Sequence, residues 1–187
     1  TGEREIFYKQ SRIGKYGKSF ELLKFATMLK NSEKKGAGTV TLKNDTRILP
    51  FGKFLRKTKI NELPQLLNIL FGDLALVGPR PLVPEGESHY GEKNSRIIRS
   101  VRPGITGIGS ILFRDEEAII SAVSNEDPFE FYKRIIAPYK GEVEIWYQKN
   151  CSFYLDIQLI LMTAWVILFP KTTIYEKWFS NLPKRNF

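Results

Sequence analysis

The run Lys59–Leu82, KINELPQLLNILFGDLALVGPRPL, decides the fold, because several structural signals follow one another within it. Its apolar residues recur at the spacing of one amphipathic helix face over Ile60–Leu70. Asn61 stands where a helix N-cap belongs, and Glu62 follows in the first turn, where the helix dipole favours a carboxylate. The run then predicts a short apolar strand, Leu74–Val77, which the next prolines end.

Two loops that combine arginine with proline follow this strand. Gly78–Pro81 reads GPRP and Val101–Gly107 reads VRPGITG. Prolines on both sides of Arg80 stiffen the backbone and fix the direction of a guanidinium that could bind phosphate in bidentate fashion. The same pattern also suits a rigid turn with a solvated arginine, and spacing alone leaves both interpretations open.

The rest of the chain predicts a hairpin followed by helices. Short strands at Glu5–Tyr8 and Phe20–Phe25 flank a basic, turn-rich loop, and Asn31–Gly38 has the polarity of a surface loop. Helical patterns cover three further segments: Glu85–Arg99, Glu116–Val123 and Pro128–Glu144.

Two charged segments have ordinary and functional interpretations. Arg114–Glu117 is typical of a helix start with acidic residues in its first turn. The basic loop Arg12–Lys18 is typical of a solvated turn, although it could contact nucleic acid. Known nucleic-acid-binding signatures are absent from the sequence, so no nucleic acid partner is predicted.

The apolar segment Leu155–Phe169 allows two interpretations. Its longest strongly apolar stretch, Leu159–Phe169, is too short to cross a bilayer as a helix, which needs about 20 residues. A buried core helix is the first possibility. The second is a helix lying in the membrane interface, which Trp165, Trp178 and neighbouring lysines favour.

Composition removes several kinds of chemistry. Cys151 and His89 are the only cysteine and the only histidine among 187 residues, which excludes an internal disulfide and argues against a Ser-His-Asp triad or a thiolate or histidine-rich metal site. Catalysis would have to rely on carboxylates, hydroxyls, lysines and arginines. The net charge of +9 indicates an anionic partner, and charge alone does not choose between nucleic acid, anionic lipid headgroups and phosphate-bearing substrates.

Several blocks, in their order and spacing, resemble the bacterial sugar transferases, the monotopic polyprenyl-phosphate phosphoglycosyl transferases. The central run and both Arg-Pro loops carry the resemblance most specifically. The full set is Lys24–Met28 (KFATM), Gly52–Arg56 (GKFLR), Asn61–Leu66 (NELPQL), Asn68, Gly72–Asp73, Val77–Leu82 (VGPRPL) and Val101–Gly107 (VRPGITG).

The resemblance implies a reaction and a place in the cell. Members transfer a sugar phosphate from a nucleotide diphosphate sugar to polyprenyl (undecaprenyl) phosphate, with Mg²⁺ as cofactor, at the cytoplasmic face of the bacterial inner membrane. We therefore expect a phosphoglycosyl transferase that initiates glycan synthesis. The expected fold is one compact α/β (α+β) domain over residues 1–187, with a short β-hairpin or small sheet and amphipathic helices at the membrane surface. The re-entrant membrane helix that usually precedes this domain is not found in the sequence.

The resemblance also implies roles for individual residues. Lys24, Arg56, Arg80 and Arg102 would contact phosphate, and Glu62 would hold the metal or assist proton transfer. The family's usual Asp-Glu pair falls on Asn61 and Glu62.

Asn61 is a departure, because an amide cannot form the acyl-phosphate intermediate that the usual aspartate forms. Ala26 also replaces a basic residue that is common in the family. We expect Glu62 to be the nucleophile. The alternatives are an inactivating change at position 61 and a catalytically silent membrane-surface protein that binds the same substrates.

Overall fold

Two small sheets and a larger set of helices make up the described residues, 4–32, 45–84, 90–123, 127–170, 172–179 and 181–185, of a computed structural model. Strands β1 (Phe7–Ile13) and β2 (Ser19–Phe25) pair antiparallel, whereas β3 (Ala75–Val77) and β4 (Gly104–Thr106) pair parallel. This arrangement confirms the mixed α/β class with small sheets.

The helices account for most of the described chain. Two of them follow irregular turns: a 3₁₀ turn at Ile60–Glu62 precedes the helix Gln65–Leu70, and a π-helical segment at Tyr132–Ile136 precedes the helix Ala137–Asn150. The helices are α1 (Pro50–Lys57), α2 (Gln65–Leu70), α3 (Glu92–Ile98), α4 (Ile108–Leu112), α5 (Glu116–Ser121), α6 (Pro128–Phe131), α7 (Ala137–Asn150), α8 (Phe153–Leu168) and α9 (Ile174–Trp178).

The N-terminal hairpin is confirmed, but its first strand starts at Phe7 and ends at Ile13, whereas the sequence predicted Glu5–Tyr8. Pairing continues from Phe7 opposite Phe25 to Ile13 opposite Ser19, so the turn contains only residues 14–18. Arg12 therefore lies on a strand and not in a loop. The predicted surface loop Asn31–Gly38 lies mostly outside the described residues.

Helix α2 turns its apolar face outward. Leu66, Leu67 and Leu70 are exposed, Leu70 by 79%, while Asn68 on the opposite side is 1% exposed. Asn68 attaches α2 to the protein through hydrogen bonds instead of apolar packing. Its Oδ1 accepts from the Leu23 N–H at 3.0 Å, and its Nδ2 donates to the Glu21 carbonyl at 2.8 Å. A buried amide with both ends bonded ties α2 to strand β2.

The predicted strand Leu74–Val77 is confirmed as β3, and its parallel partner is the second Arg-Pro loop. Gly78 donates its N–H to the Thr106 carbonyl at 3.0 Å, and Gly104 donates to the Pro79 carbonyl at 2.9 Å. The two loops touch backbone to backbone. A Cβ on Gly104 would lie 2.2 Å from the Gly78 nitrogen, so both loops need glycine here.

Helices α4, α7 and α8 enclose the main apolar core. Ile108, Val143 and Leu159 are fully buried in it. On α8, Ser152 caps the start by accepting from the Leu155 N–H at 3.2 Å. The predicted continuous helix Pro128–Glu144 is interrupted, because the π-helical segment separates α6 from α7.

Helix α8 is a core helix with an exposed apolar side, and its position in a membrane interface stays a prediction. Its core face places Leu155, Leu159, Met162 and Val166 in the interior, whereas Leu161, Trp165 and Leu168 are exposed. Helix α3 covers only the second half of the predicted Glu85–Arg99, whose first five residues lie outside the described ranges. Within those ranges, no helix combines the length and the hydrophobicity of a transmembrane span.

We expect Gly104→Ala to destabilise the protein by about 3 kcal/mol or more, since a backbone clash cannot be relieved by a rotamer change. Urea unfolding of the variant measures this loss. Lys93→Ala, on the exposed side of α3, is the control and should change the free energy of unfolding by less than about 0.5 kcal/mol. Equal stability of the two variants would contradict the close packing of the Arg-Pro loops.

Candidate functional site

An open cleft of about 1300 Å³ lies between the hairpin, the turn before α2, the GPRP loop and helices α5, α7 and α8. One part of its wall is rich in cations. Arg12, Lys24, Arg56, Lys59 and Arg80 line this part together with Asn61 and Glu62. The cleft therefore gathers most of the residues that the sequence singled out.

A left-handed turn presents Asn61 and Glu62 to this cleft. Lys59 has a φ of 61°, and the Glu62 N–H donates to the Lys59 carbonyl at 3.0 Å, which closes the 3₁₀ turn. The prediction that Asn61 caps helix α2 is therefore wrong: α2 begins at Gln65, with Pro64 at its N-cap and no side-chain cap. Because of this 3₁₀ turn, neither the Asn61 nor the Glu62 side chain caps α2.

Asn61 is buried, and its side-chain oxygen has no hydrogen-bonding partner among the described residues. An unpaired oxygen in such a place is costly unless a ligand satisfies it. Glu62, by contrast, is half-buried and reaches the cleft.

The electrostatics of the cleft centre on the Glu62 carboxylate. Burial raises the pKa of Glu62, but the positive charges of Lys24, Arg80, Lys59 and Arg56 outweigh that effect and lower it below the ordinary value. Glu62 is therefore ionised at neutral pH, and its carboxylate lies among several cations.

The same surroundings also lower the pKa of Lys24, and there they disfavour the charged form. Desolvation lowers its pKa to about 7, Glu62 opposes this, and the neighbouring Arg12, Arg80 and Arg56 charges lower it further. Arg12 behaves similarly, because burial and the Arg80 charge lower its pKa to about 10. An anion that enters the cleft would relieve this mutual repulsion.

The GPRP loop is held from two sides. The Arg80 N–H donates to Glu144 Oε1 at 3.4 Å, and Arg12 Nη1 donates to the Pro81 carbonyl at 3.0 Å. Burial raises the pKa of Glu144 to about 7, although the Arg80 N–H opposes the rise. Arg80 lines the cleft, where desolvation lowers the pKa of its guanidinium but the carboxylates of Glu62 and Glu116 outweigh that effect and raise it.

The structure brings together all but one of the predicted site residues. Arg102 is exposed and is not part of the cleft lining, so its contact with phosphate stays a prediction. Its backbone carbonyl instead packs against Gly78, where a Cβ would approach to 2.6 Å.

Sequence reasoning missed several residues of the cleft. Arg12 belonged to a segment interpreted as a solvated loop, and Glu116 to one interpreted as an ordinary helix start. Lys140, which lines the cleft, and Glu144, which only holds the Arg80 N–H, had no local signal, because charged residues on a helix are usually solvated. Two-residue alternation in the hairpin was the one available signal, and it could have placed Arg12 on a strand.

The chain matches the family model for bacterial sugar transferases over residues 1–170. The protein belongs to this family. It is 40% identical over 163 residues to an uncharacterized sugar transferase, EpsL, of Bacillus subtilis, covering 87% of this chain and 70% of that protein.

Two further relatives carry functional names. The UDP-glucose:undecaprenyl-phosphate glucose-1-phosphate transferase of Xanthomonas campestris pv. campestris is 34% identical over 170 residues, covering 89% of this chain and 32% of that protein. The undecaprenyl-phosphate galactose phosphotransferase of Salmonella typhimurium is 32% identical over 175 residues, covering 86% and 33%. The sugar transferase described here thus spans about a third of the length of these two relatives.

We expect Lys24 of this sugar transferase to titrate with a midpoint near pH 7, because the cleft desolvates its ammonium group and surrounds it with cations. The ¹³Cε resonance of Lys24 in lysine-labelled protein measures the midpoint, and Lys24→Arg assigns the signal. Glu62→Gln removes an attraction and should lower the midpoint, whereas Arg12→Met removes a repulsion and should raise it. A midpoint at the ordinary value of about 10.4 would refute the enclosure of this lysine.

Proposed function

We propose that this sugar transferase moves a sugar phosphate from a nucleoside diphosphate sugar to polyprenyl phosphate. The observation that carries the proposal is one ionised carboxylate, Glu62, within a ring of cations in a cleft large enough for a sugar nucleotide. The names of the Xanthomonas and Salmonella relatives support the same substrate classes. The reaction would initiate glycan synthesis on the lipid carrier.

The cations have a direct use in this reaction. A pyrophosphate group carries negative charge that increases on its leaving oxygen in the transition state, and fixed cations stabilise that charge. Lys24, Arg56 and Arg80 line the cleft together and would bind the diphosphate. Arg80 is the best positioned for bidentate contact, because its loop is held on both sides.

Mg²⁺ is the proposed cofactor, and two oxygens of the cleft fit it. The described residues contain no group of three His, Cys, Asp or Glu that could hold a metal alone. Mg²⁺ commonly binds through one or two protein oxygens together with substrate phosphates. The Glu62 carboxylate and the unpaired Asn61 Oδ1 would supply them. Bound there, the ion would offset the charge of the pyrophosphate.

Glu62 is the proposed nucleophile. Its carboxylate oxygen would attack the β-phosphorus, and the bond from that phosphorus to the bridging oxygen would break, releasing nucleoside monophosphate. The sugar phosphate would then be held on Glu62 as an acyl phosphate. An oxygen of polyprenyl phosphate would attack the same phosphorus and regenerate the carboxylate.

The lipid acceptor has an apolar approach to the cleft. Leu63, Leu76, Ile160 and Ile167 line it together with the charged residues. Exposed apolar side chains on α2 and α8 continue outside, and Phe51 and Phe54 are exposed on α1 beside Lys53 and Lys57. This mixture is typical of helices that lie in a membrane interface. We infer a monotopic attachment to the cytoplasmic face of the bacterial inner membrane.

Turnover tests the proposed reaction. The protein is supplied with undecaprenyl phosphate, Mg²⁺ and a panel of UDP-sugars, and we expect nucleoside monophosphate release with one of them. Omitting the acceptor should leave a sugar-phosphate adduct, which intact-protein mass spectrometry detects and peptide mapping places on Glu62. Glu62→Gln should lower the rate by at least about 10³-fold, since no other nucleophile is proposed.

Other outcomes of this experiment have definite meanings. An adduct on another residue would overturn the role of Glu62. Substrate binding without release, with activity gained in Asn61→Asp, would favour the catalytically silent binding protein. No release from either protein would refute the proposed reaction.

Membrane attachment gives a separate prediction. Leu70→Glu should weaken binding to phosphatidylglycerol-containing vesicles by about tenfold, because a charge replaces an apolar side chain at the interface. Vesicle flotation measures the partition. Ser100→Glu adds the same charge at an exposed position after α3 and should reduce binding by less than about twofold. Equal effects of the two variants would contradict docking through α2.

A further inference from the structure

A second charged group lies in the cleft apart from the cations around Glu62. Lys140 Nζ on α7 and Glu116 Oε1 on α5 form an ion pair at 2.5 Å. The Lys140 side chain is 7% exposed, whereas that of Glu116 is 24% exposed and lines the cleft. The Lys140 ammonium group of this ion pair is therefore buried, whereas a ligand in the cleft can reach the Glu116 carboxylate.

Aromatic rings surround the buried end. Lys140 Nζ lies 5.0 Å from the ring centroid of Phe113 and 5.3 Å from that of Tyr132. Tyr132 also lines the cleft, and so does Tyr90, to which it is hydrogen-bonded. This wall consists of a carboxylate, an ammonium group, tyrosine hydroxyls and ring faces, in contrast to the guanidinium-rich wall near Glu62.

Arg80 connects the two walls. Its guanidinium interacts electrostatically with Glu62 and with Glu116, and Lys140 also senses the Arg80 charge. In a sugar nucleotide the hexose is bonded directly to the β-phosphate. A donor whose β-phosphate lies between Glu62 and Arg80 therefore has its hexose next to Arg80. Glu116 and Tyr132 line the same cleft, and both interact electrostatically with Arg80.

We propose that Glu116, Lys140 and Tyr132 form the donor-sugar subsite, with the Glu116 carboxylate accepting hydrogen bonds from hexose hydroxyls. The inference rests on the proposed function and deepens it by assigning the recognition of the sugar. An uncharged hexose offers many O–H donors, and a carboxylate accepts from them without adding to the cations already present. The ion pair with Lys140 holds the carboxylate in place.

A purely structural role for Glu116 makes a different prediction. If it only neutralises the buried Lys140 ammonium, its loss should weaken the fold and every ligand alike. If it contacts the hexose, its loss should weaken sugar nucleotides and leave the free nucleotide unaffected. UDP is therefore the internal reference.

The experiment measures the affinity of the 187-residue chain for UDP and for UDP-glucose, UDP-galactose and their N-acetylated forms by calorimetry. We expect Glu116→Gln to weaken the preferred UDP-sugar by about tenfold or more and UDP by less than about twofold. Glu116→Gln combined with Lys140→Met removes both charges, avoids an uncompensated buried lysine and should behave in the same way. Glu92→Gln, which breaks an exposed ion pair with Arg96 on α3, is the matched control and should change neither affinity.

Each result decides the assignment. Equal loss for UDP and UDP-sugar, or no loss for either, in the double variant overturns the sugar subsite and leaves the proposed reaction standing. Wild-type protein that binds UDP and every UDP-sugar equally also overturns it. Wild-type protein that binds none of these nucleotides and releases no nucleoside monophosphate overturns the proposed function itself.

Discussion

Repulsion among the cations of the cleft is the constraint on which the rest of the structure depends. Arg12 and Lys24 lie on the two strands of the hairpin and Arg80 lies in the distant GPRP loop. Arg80 lowers the pKa of Arg12 and of Lys24, and Arg12 lowers that of Lys24. Like charges gathered in one cleft destabilise a fold unless rigid contacts oppose them. Glu62 offsets part of the charge, and hydrogen bonds hold the remainder in position. A cleft prepared in this way favours polyanions before any ligand arrives.

Those hydrogen bonds explain why helix α2 has an exposed apolar face. The Asn68 amide fastens α2 to β2, and Arg12 fastens β1 to the GPRP loop. Because hydrogen bonds rather than leucines attach α2 to the protein, its leucines remain exposed at the surface. The attachment of α2 to β2 therefore suits both proposed substrates. It keeps Lys24 in the cleft, where the donor diphosphate would bind, and it leaves the apolar face of α2 exposed for the lipid acceptor.

The sequence predicted elements well where the signal was local, and predicted sites well where the family resemblance applied. The α2 helix, strand β3 and the grouping of Lys24, Arg56, Glu62 and Arg80 follow from those two sources. The capping role of Asn61 was wrong because the left-handed Lys59 inserts a separate 3₁₀ turn, which no spacing rule reveals. Glu116 and Lys140 are 24 residues apart and meet only through the packing of α5 and α7, so no local pattern could have paired them.

An amide at position 61 affects the reactivity of the neighbouring Glu62 carboxylate as well as removing a carboxylate. With an amide at that position, the neighbouring cations have no second carboxylate beside Glu62 in this turn, and they hold the pKa of Glu62 below the ordinary value. A carboxylate with a lowered pKa is a weaker nucleophile, but it is a better leaving group, because it bears its negative charge more easily. In the proposed two-step reaction the first property slows formation of the acyl phosphate, and the second speeds its transfer to the lipid. Since the same cations would also stabilise the departing nucleotide, they would compensate the slower step of the proposed reaction, so that Glu62 could serve in both of its halves.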